Sequence, residues 1–91
     1  MTNTYQMPSE KTLTSSATLA IEHDKPFCYY FYKDSLRDNV CIATFQGDKI
    51  IYKNNDEHTS PIVKTFKCDS EYIVVTENSI YIISAATKIK K

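Results

Sequence analysis

The chain has 91 residues, so it is long enough for one domain with a single hydrophobic core. Its 11 Lys and Arg residues balance its 11 Asp and Glu residues, whereas proteins that bind nucleic acid are usually basic overall. The sequence has one glycine. Glycine-rich phosphate loops need at least about two, so P-loop and dinucleotide-binding sites are excluded.

Residues 1–11 are polar, contain Pro8 and show no periodicity, so we expect a flexible N-terminal arm. Residues 1–16 show no apolar core of a signal peptide, and no apolar run approaches the roughly 18 residues of a membrane span. The three cysteines, Cys28, Cys41 and Cys68, have no CxxC spacing. We therefore expect reduced thiols and a cytoplasmic location, which is the host cytoplasm if the source is viral.

The segment from Thr12 to Asp24 fits two structures. Apolar residues recur at the spacing of one helix face, with Ser9 available as the N-cap: Leu13, Ala17, Ala20 and Ile21. However, five of residues 12–18 are Ser or Thr, which are poor helix formers in a helix interior. The alternative is a strand over residues 17–22 that pairs with residues 27–32, and the sequence favours this strand.

Between Pro26 and Ala85, six segments have the length and composition of single strands: PFCYYFYK, NVCIATFQ, DKIIYK, PIVKTFK, EYIVVTE and SIYIIS. Turn-forming residues separate them. We predict a mainly β domain over residues 12–86, an antiparallel meander of about five to seven strands curled into a sandwich or an open barrel. A short N-terminal helix is the open alternative for its first element, and residues 87–91 form a basic tail.

The connection Gly47-Asp48 predicts a two-residue hairpin loop with the glycine at positive φ. In that register Ala43 pairs with Tyr52. One face of the hairpin is then the more apolar, and we predict that it is the core face. It carries Cys41, Ala43, Phe45, Ile50 and Tyr52.

The hairpin around Asn78-Ser79 is apolar on both faces. A strand of this kind is covered on both faces, here by the N-terminal segment, by another part of the sheet or by a second subunit. We also predict a homodimer or larger assembly. It would form along residues 79–84, expected at a sheet edge, or through the face that carries Tyr72 and Tyr81.

The densest aromatic run, residues 27–32, lies in a predicted strand beside Lys25 and Lys33. Core packing is the favoured interpretation for Phe27, Tyr29 and Phe31. A protein-binding face and a platform that stacks single-stranded bases are the alternatives. The candidate interaction surface consists of Tyr30, Tyr32, Lys33, Tyr72 and Tyr81.

No pattern predicts a catalytic, metal or cofactor site. His23 and His58 have no cysteine at ligand spacing. The loop NNDEHTS lacks the alternating oxygen ligands and the glycine of a calcium loop, so we interpret it, Glu57 included, as a solvated turn. The strings GxSxG, HExxH and SxxK do not occur.

The leading hypothesis is a small non-enzymatic protein-interaction module. The composition is typical of AT-rich genomes, phage included, so a phage or mobile-element accessory protein that docks on a host protein is one form of it. The alternative is single-stranded nucleic-acid binding by tyrosine stacking on Tyr30 or Tyr32, with phosphate contacts from Lys25, Lys33, Lys49 and Lys53. A cysteine-dependent enzyme is the third hypothesis and would need a thiol of lowered pKa beside a histidine.

Overall fold

A computed structural model describes residues 8–90 and begins with helix α1 (Glu10–His23). The Ser9 side chain caps the helix by accepting a hydrogen bond from the backbone N–H of Thr12, and Asp24 ends it in the left-handed conformation at a φ of 53°. The strand favoured for this segment is therefore wrong, and the helix alternative with its Ser9 cap is confirmed. The low helix propensity of Thr12 and Ser16 is overridden because both are buried against the sheet. Residues 1–7 of the predicted arm lie outside the described residues.

Within residues 8–90, eight strands and a short second helix, α2 (Tyr32–Leu36), follow α1. In chain order the strands are β1 (Phe27–Cys28), β2 (Cys41–Phe45), β3 (Asp48–Asn54), β4 (Glu57–His58), β5 (Ile62–Cys68), β6 (Glu71–Thr76), β7 (Ile80–Ser84) and β8 (Lys88–Ile89). Strands take 43% of the described residues and helices 23%, so the prediction of a mainly β fold is confirmed.

The strands form two four-stranded sheets that pack together without closing into a barrel. Sheet A has the order β1-β7-β6-β5, and sheet B has the order β4-β3-β2-β8. The central pairings are antiparallel between consecutive strands, as the meander predicts. The pairings β1–β7 and β2–β8 are parallel and were not predicted. Each involves a two-residue strand, which is too short to show alternation, and β8 comes from the segment assigned to the basic tail.

The core between the sheets contains residues from both of them and from the loops at either end of α2. We call it the inner core, and its buried members are Phe31, Val40, Ile42, Ile51, Val74 and Ile83. Tyr72 and Tyr81 are half-buried against it. Burying one large aliphatic side chain contributes about 1.5–3 kcal/mol to the free energy of folding. Because the buried residues come from both sheets, their packing holds the two sheets together.

The opposite face of sheet A is covered by helix α1. Ile73, Val75 and Ile80 are buried there against Leu19 and Ala20 of the helix. Both faces of the β6–β7 hairpin are therefore covered, as the sequence indicated, and the cover is the N-terminal helix on one face and sheet B on the other. β7 lies between β1 and β6. The predicted sheet edge at residues 79–84 is therefore wrong, and so is the edge-pairing route given for a homodimer. The homodimer itself stays a prediction.

In the β2–β3 hairpin the predicted core face is wrong as a whole, although Ile50 on that face is buried. The observed register pairs Ala43 with Ile50 instead of Tyr52, which is a shift of two residues. The two loop residues are therefore Gln46 and Gly47. Gln46 and Gly47 have φ values of 51° and 87°, and positive φ at both loop positions is what a type I′ turn requires. The shift leaves each residue on its predicted face. The inner core instead takes the face with Val40, Ile42 and Ile51, and Phe45 on the other face is 53% exposed.

The predicted strand over the aromatic run is also wrong beyond Cys28. The chain turns there, with the Tyr32 N–H donating to the Tyr29 carbonyl oxygen at 3.0 Å, and continues into α2. Phe27 packs on the α1 side of sheet A, whereas Phe31 packs in the inner core on the other side. A continuous strand would place these two rings on one face. The turn therefore lets Phe27 and Phe31 anchor the two cores, whereas Tyr29, which was also assigned to the core, is 44% exposed.

Candidate protein-binding surface

The residues of the predicted interaction surface divide between the surface and the interior. Tyr30 is 56% exposed and Lys33 is also exposed. Tyr32 is only 4% exposed because the turn directs it inward at the start of α2. Tyr72 and Tyr81 pack against the inner core. Tyr30 and Lys33 are therefore the exposed members of the predicted surface, and the role of all five residues in binding stays a prediction.

The position of the Tyr30 ring is set by the turn after β1. The ring packs edge-on against Phe31, with centroids 4.8 Å apart and an interplanar angle of 84°. Phe31 itself is buried in the inner core. The exposed ring therefore rests on a side chain that the core already holds.

Side chains from three further elements meet at Tyr30. Its hydroxyl donates a hydrogen bond to Glu57 Oε2 in β4. Lys53 Nζ in β3 lies 3.5 Å from the same carboxylate oxygen and 3.3 Å from Asp34 Oδ2 in α2. We call Tyr30, Asp34, Lys53 and Glu57 the Tyr30 cluster. It combines a rigid aromatic ring with three charges that sum to −1.

The tight connection between β3 and β4 brings Glu57 to this position. Asn54 pairs with Glu57 across the connection, and the Asn54 side-chain oxygen accepts a hydrogen bond of 2.9 Å from the Asp56 N–H. Such an Asx turn reverses the chain within a few residues. Glu57 therefore lies beside Lys53, four residues earlier, instead of in a solvated loop.

The contacts in the cluster shift the pKa values of Tyr30, Lys53 and Glu57 further from pH 7. The hydrogen bond from Tyr30 lowers the pKa of Glu57, and the same bond raises the pKa of Tyr30. The hydrogen bond to Asp34 raises the pKa of Lys53. All three groups therefore keep one protonation state near pH 7, which suits fixed recognition contacts better than proton transfer.

Sequence reasoning missed Asp34 and assigned Glu57 to a solvated turn. Lys53 was considered for phosphate binding alone. No local pattern links these residues, because Tyr30 and Glu57 are 27 positions apart and meet only when sheet B packs beside α2. The excess of tyrosine identified Tyr30, but only the fold supplies its charged neighbours.

A cleft of about 230 Å³ adjoins the cluster at Lys53. Its lining residues are Asp38, Asn39, Val40, Cys41, Tyr52, Lys53, Lys88 and Lys90. Lys88 Nζ lies 3.1 Å from Asp38 Oδ2. Both Lys53 and Lys88 are thus paired with carboxylates, which reduces the attraction of this cleft for an anion.

Comparisons with family models, with curated proteins and with solved structures find no match to this chain. Neither of the helices within residues 8–90 combines the length and apolar character needed to cross a bilayer. Over the same residues, the side chains of His, Cys, Asp and Glu form no group of three or more that could hold a metal ion. Cys28, Cys41 and Cys68 are unpaired thiols.

Proposed function

We propose that this chain is a non-enzymatic protein-interaction module whose contact surface is centred on the Tyr30 cluster. The observation that carries the proposal is an exposed tyrosine ring held from two directions. Phe31 packs against its edge, and Glu57 accepts a hydrogen bond from its hydroxyl. A partner protein that covered this ring would gain a large contact area with little loss of side-chain entropy.

The charged neighbours of Tyr30 fit the anatomy of a protein interface. Aromatic anchors in such interfaces are surrounded by polar groups that exclude water from the anchor. Asp34, Lys53 and Glu57 lie around Tyr30, and both carboxylates are paired with Lys53. A partner therefore does not have to neutralise an isolated charge when it covers them. The phage or mobile-element origin stays a prediction.

The nucleic-acid alternative has less support from the geometry. Of its two stacking tyrosines, Tyr32 is buried. Among its lysines, Lys25 Nζ donates to the Thr76 carbonyl oxygen at 2.7 Å, and Lys53 is paired with two carboxylates. Because Asp34 and Glu57 lie beside Tyr30, a phosphate backbone would approach like charge there.

The test is capture of protein partners from a lysate of the source cell on immobilised wild-type protein, Tyr30→Ala and Phe45→Ala. Phe45 is the matched control because its ring is 53% exposed, close to the exposure of Tyr30. Its described ring contact is with His58, at 6.1 Å between centroids, and not with a member of the cluster. We expect one protein to be retained by the wild type and Phe45→Ala and lost by Tyr30→Ala. Circular dichroism checks that all three proteins are folded.

Two results would contradict the proposal. One is the absence of any retained protein while the domain is folded. The other is retention that Tyr30→Ala leaves unchanged. If nuclease treatment releases everything that is bound and retention falls steeply with salt, the nucleic-acid function replaces this one, because release of counterions from phosphates causes that salt dependence.

A further inference from the structure

Strand β5 is an outer strand of sheet A. It pairs with β6 alone, and the sheet order ends with it. Among residues 8–90, no backbone hydrogen bond joins β5 to any other element. Its outer edge therefore presents unpaired N–H and C=O groups, most regularly over residues 64–68, after the irregularity between Ile62 and Lys64. Such an edge can pair with an added strand.

A groove of about 400 Å³ runs beside this strand, between β5 and helix α1. The helix packs mainly over β7, β6 and β1, which leaves the side chains of β5 partly uncovered. The apolar lining of the groove consists of Phe66, Cys68 and Ile73 from the sheet and Leu19 from the helix. The helix wall carries the hydroxyls of Thr14, Ser15 and Thr18. An extended chain laid along β5 would direct alternate side chains into this groove, because side chains alternate along a strand.

The charges along the groove are positive. Lys67 lines it, and Lys64 Nζ lies 5.2 Å from the centroid of the Phe66 ring. Among its described lining residues there is no carboxylate. Opposite charges on paired strands are favourable and like charges are unfavourable. The two lysines therefore disfavour pairing of β5 with a second copy of itself and favour an acidic strand.

We propose that the β5 edge and its groove bind an extended acidic peptide segment of a partner protein by strand addition. Its backbone pairs with β5 and alternate apolar side chains enter the groove. The acidic side chains between them lie on the opposite face of sheet A, which carries Lys67 beside Tyr72. This site is separate from the Tyr30 cluster. The groove lies on the α1 side of sheet A, whereas Tyr30 packs on Phe31, which belongs to the inner core on the other side.

The test uses labelled peptides of roughly eight residues, the length of an ordinary strand, in which glutamate alternates with valine or isoleucine. A matched peptide carries lysine in place of glutamate. Fluorescence anisotropy at low salt should show binding of the acidic peptide and about tenfold weaker binding of the lysine peptide. Lys67→Glu should reduce this preference, whereas Lys49→Glu, at the distant end of the β2–β3 hairpin, should not change it.

Backbone pairing is tested with two N-methylated forms of the acidic peptide. One is methylated at the odd positions and the other at the even positions. In an extended strand, alternate N–H groups point to the same side. One form should therefore lose binding and the other should retain it.

The proposal is overturned if the acidic peptide does not bind at about 1 mM, the weak limit of useful affinity. It is also overturned if the lysine peptide binds equally well or if both methylated forms bind. A wild-type dimer in light scattering that excludes the peptide would assign the β5 edge to a second copy of the chain and would also overturn it. Neither Tyr30→Ala nor Phe45→Ala should affect peptide binding, so this test and that of the proposed function fail independently.

Discussion

The substitution Thr12→Val tests how helix α1 is attached to sheet A. Thr12 is fully buried, and its hydroxyl lies 2.8 Å from Glu71 Oε1 and 3.1 Å from the Cys68 carbonyl oxygen. The hydroxyl has one hydrogen, and the shorter distance and the carboxylate favour its donation to Glu71. The other described donor to Glu71 Oε1 is the Ser9 backbone N–H at 3.3 Å.

Ser9 Oγ also lies 2.9 Å from the Thr12 hydroxyl, but Ser9 donates its own hydrogen to Asp69 Oδ2 at 2.7 Å. The expected cost therefore follows mainly from the loss of the hydrogen bond to Glu71. Valine keeps the shape and the β-branching of Thr12, so packing and helix propensity change little. A hydrogen bond to a carboxylate contributes about 1.5–3 kcal/mol, and Glu71 stays buried after the substitution. We therefore expect the free energy of unfolding to fall by about 2 kcal/mol, which lowers the melting temperature of a domain of this size by roughly 8–16 °C.

The assay is thermal and urea denaturation followed by circular dichroism. Thr14→Val is the matched control, because it makes the same chemical change at an exposed position of the same helix, and it should stay within about 0.5 kcal/mol of wild type. In a Glu71→Gln background, Thr12→Val should cost less than in wild type, because the two side chains are in contact. The reasoning is refuted if Thr12→Val costs no more than Thr14→Val, or if its cost is the same in both backgrounds.

Three further predictions concern other parts of the fold. Gly47→Val should destabilise the protein by about 1–2 kcal/mol, because Gly47 has a φ of 87° and a β-branched residue is strained at positive φ. Gln46→Asn, at the neighbouring positive-φ position, should be neutral. Equal urea midpoints for the two variants would contradict this prediction. Ser16→Ala should raise the free energy of unfolding by about 1 kcal/mol, because the buried Ser16 hydroxyl has no hydrogen-bond partner among the described residues. Alanine also has the higher helix propensity. A loss of stability in the same assay would refute this prediction. Tyr30→Phe should raise the pKa of Glu57 in an NMR titration, because it removes the hydrogen bond that lowers it. The lowered pKa of Glu57 in the folded protein adds to the free energy of unfolding at pH values above the pKa of Glu57 in the unfolded chain. This added stability is lost as the pH falls through the folded pKa. The variant has less of it to lose, so its free energy of unfolding should fall less in acid.

The strands could be predicted from the sequence because alternation and turn residues are local signals. β5, β6 and β7 lie where PIVKTFK, EYIVVTE and SIYIIS place them. The helix was misjudged because its serines and threonines are unfavourable by propensity. The Thr12 hydroxyl contacts Glu71 and the Cys68 carbonyl oxygen. These residues are more than fifty positions away in the sequence, so no local pattern predicts the contacts.

The choice of face in the β2–β3 hairpin could not be made from apolar content alone. Phe45 and Tyr52 made one face look like the core, yet the smaller Ile42 and Ile51 on the other face meet Val74 and Ile83. The core face of the hairpin is therefore set by its packing against sheet A, whose strands lie far away in the sequence. The Tyr30 cluster shows the same limit, since the sequence singled out Tyr30, but Asp34, Lys53 and Glu57 join it only through tertiary packing.

The most direct test of the account is the affinity of the captured and purified partner for wild type, Tyr30→Phe and Tyr30→Ala, measured by titration calorimetry. An interface anchor typically contributes at least about 2 kcal/mol, which corresponds to roughly thirtyfold in affinity. We expect Tyr30→Ala to lose that much, Tyr30→Phe to lose less because the ring remains, and Phe45→Ala to bind like wild type. If Tyr30→Ala binds with wild-type affinity, Tyr30 is not the anchor and the proposed surface is wrong.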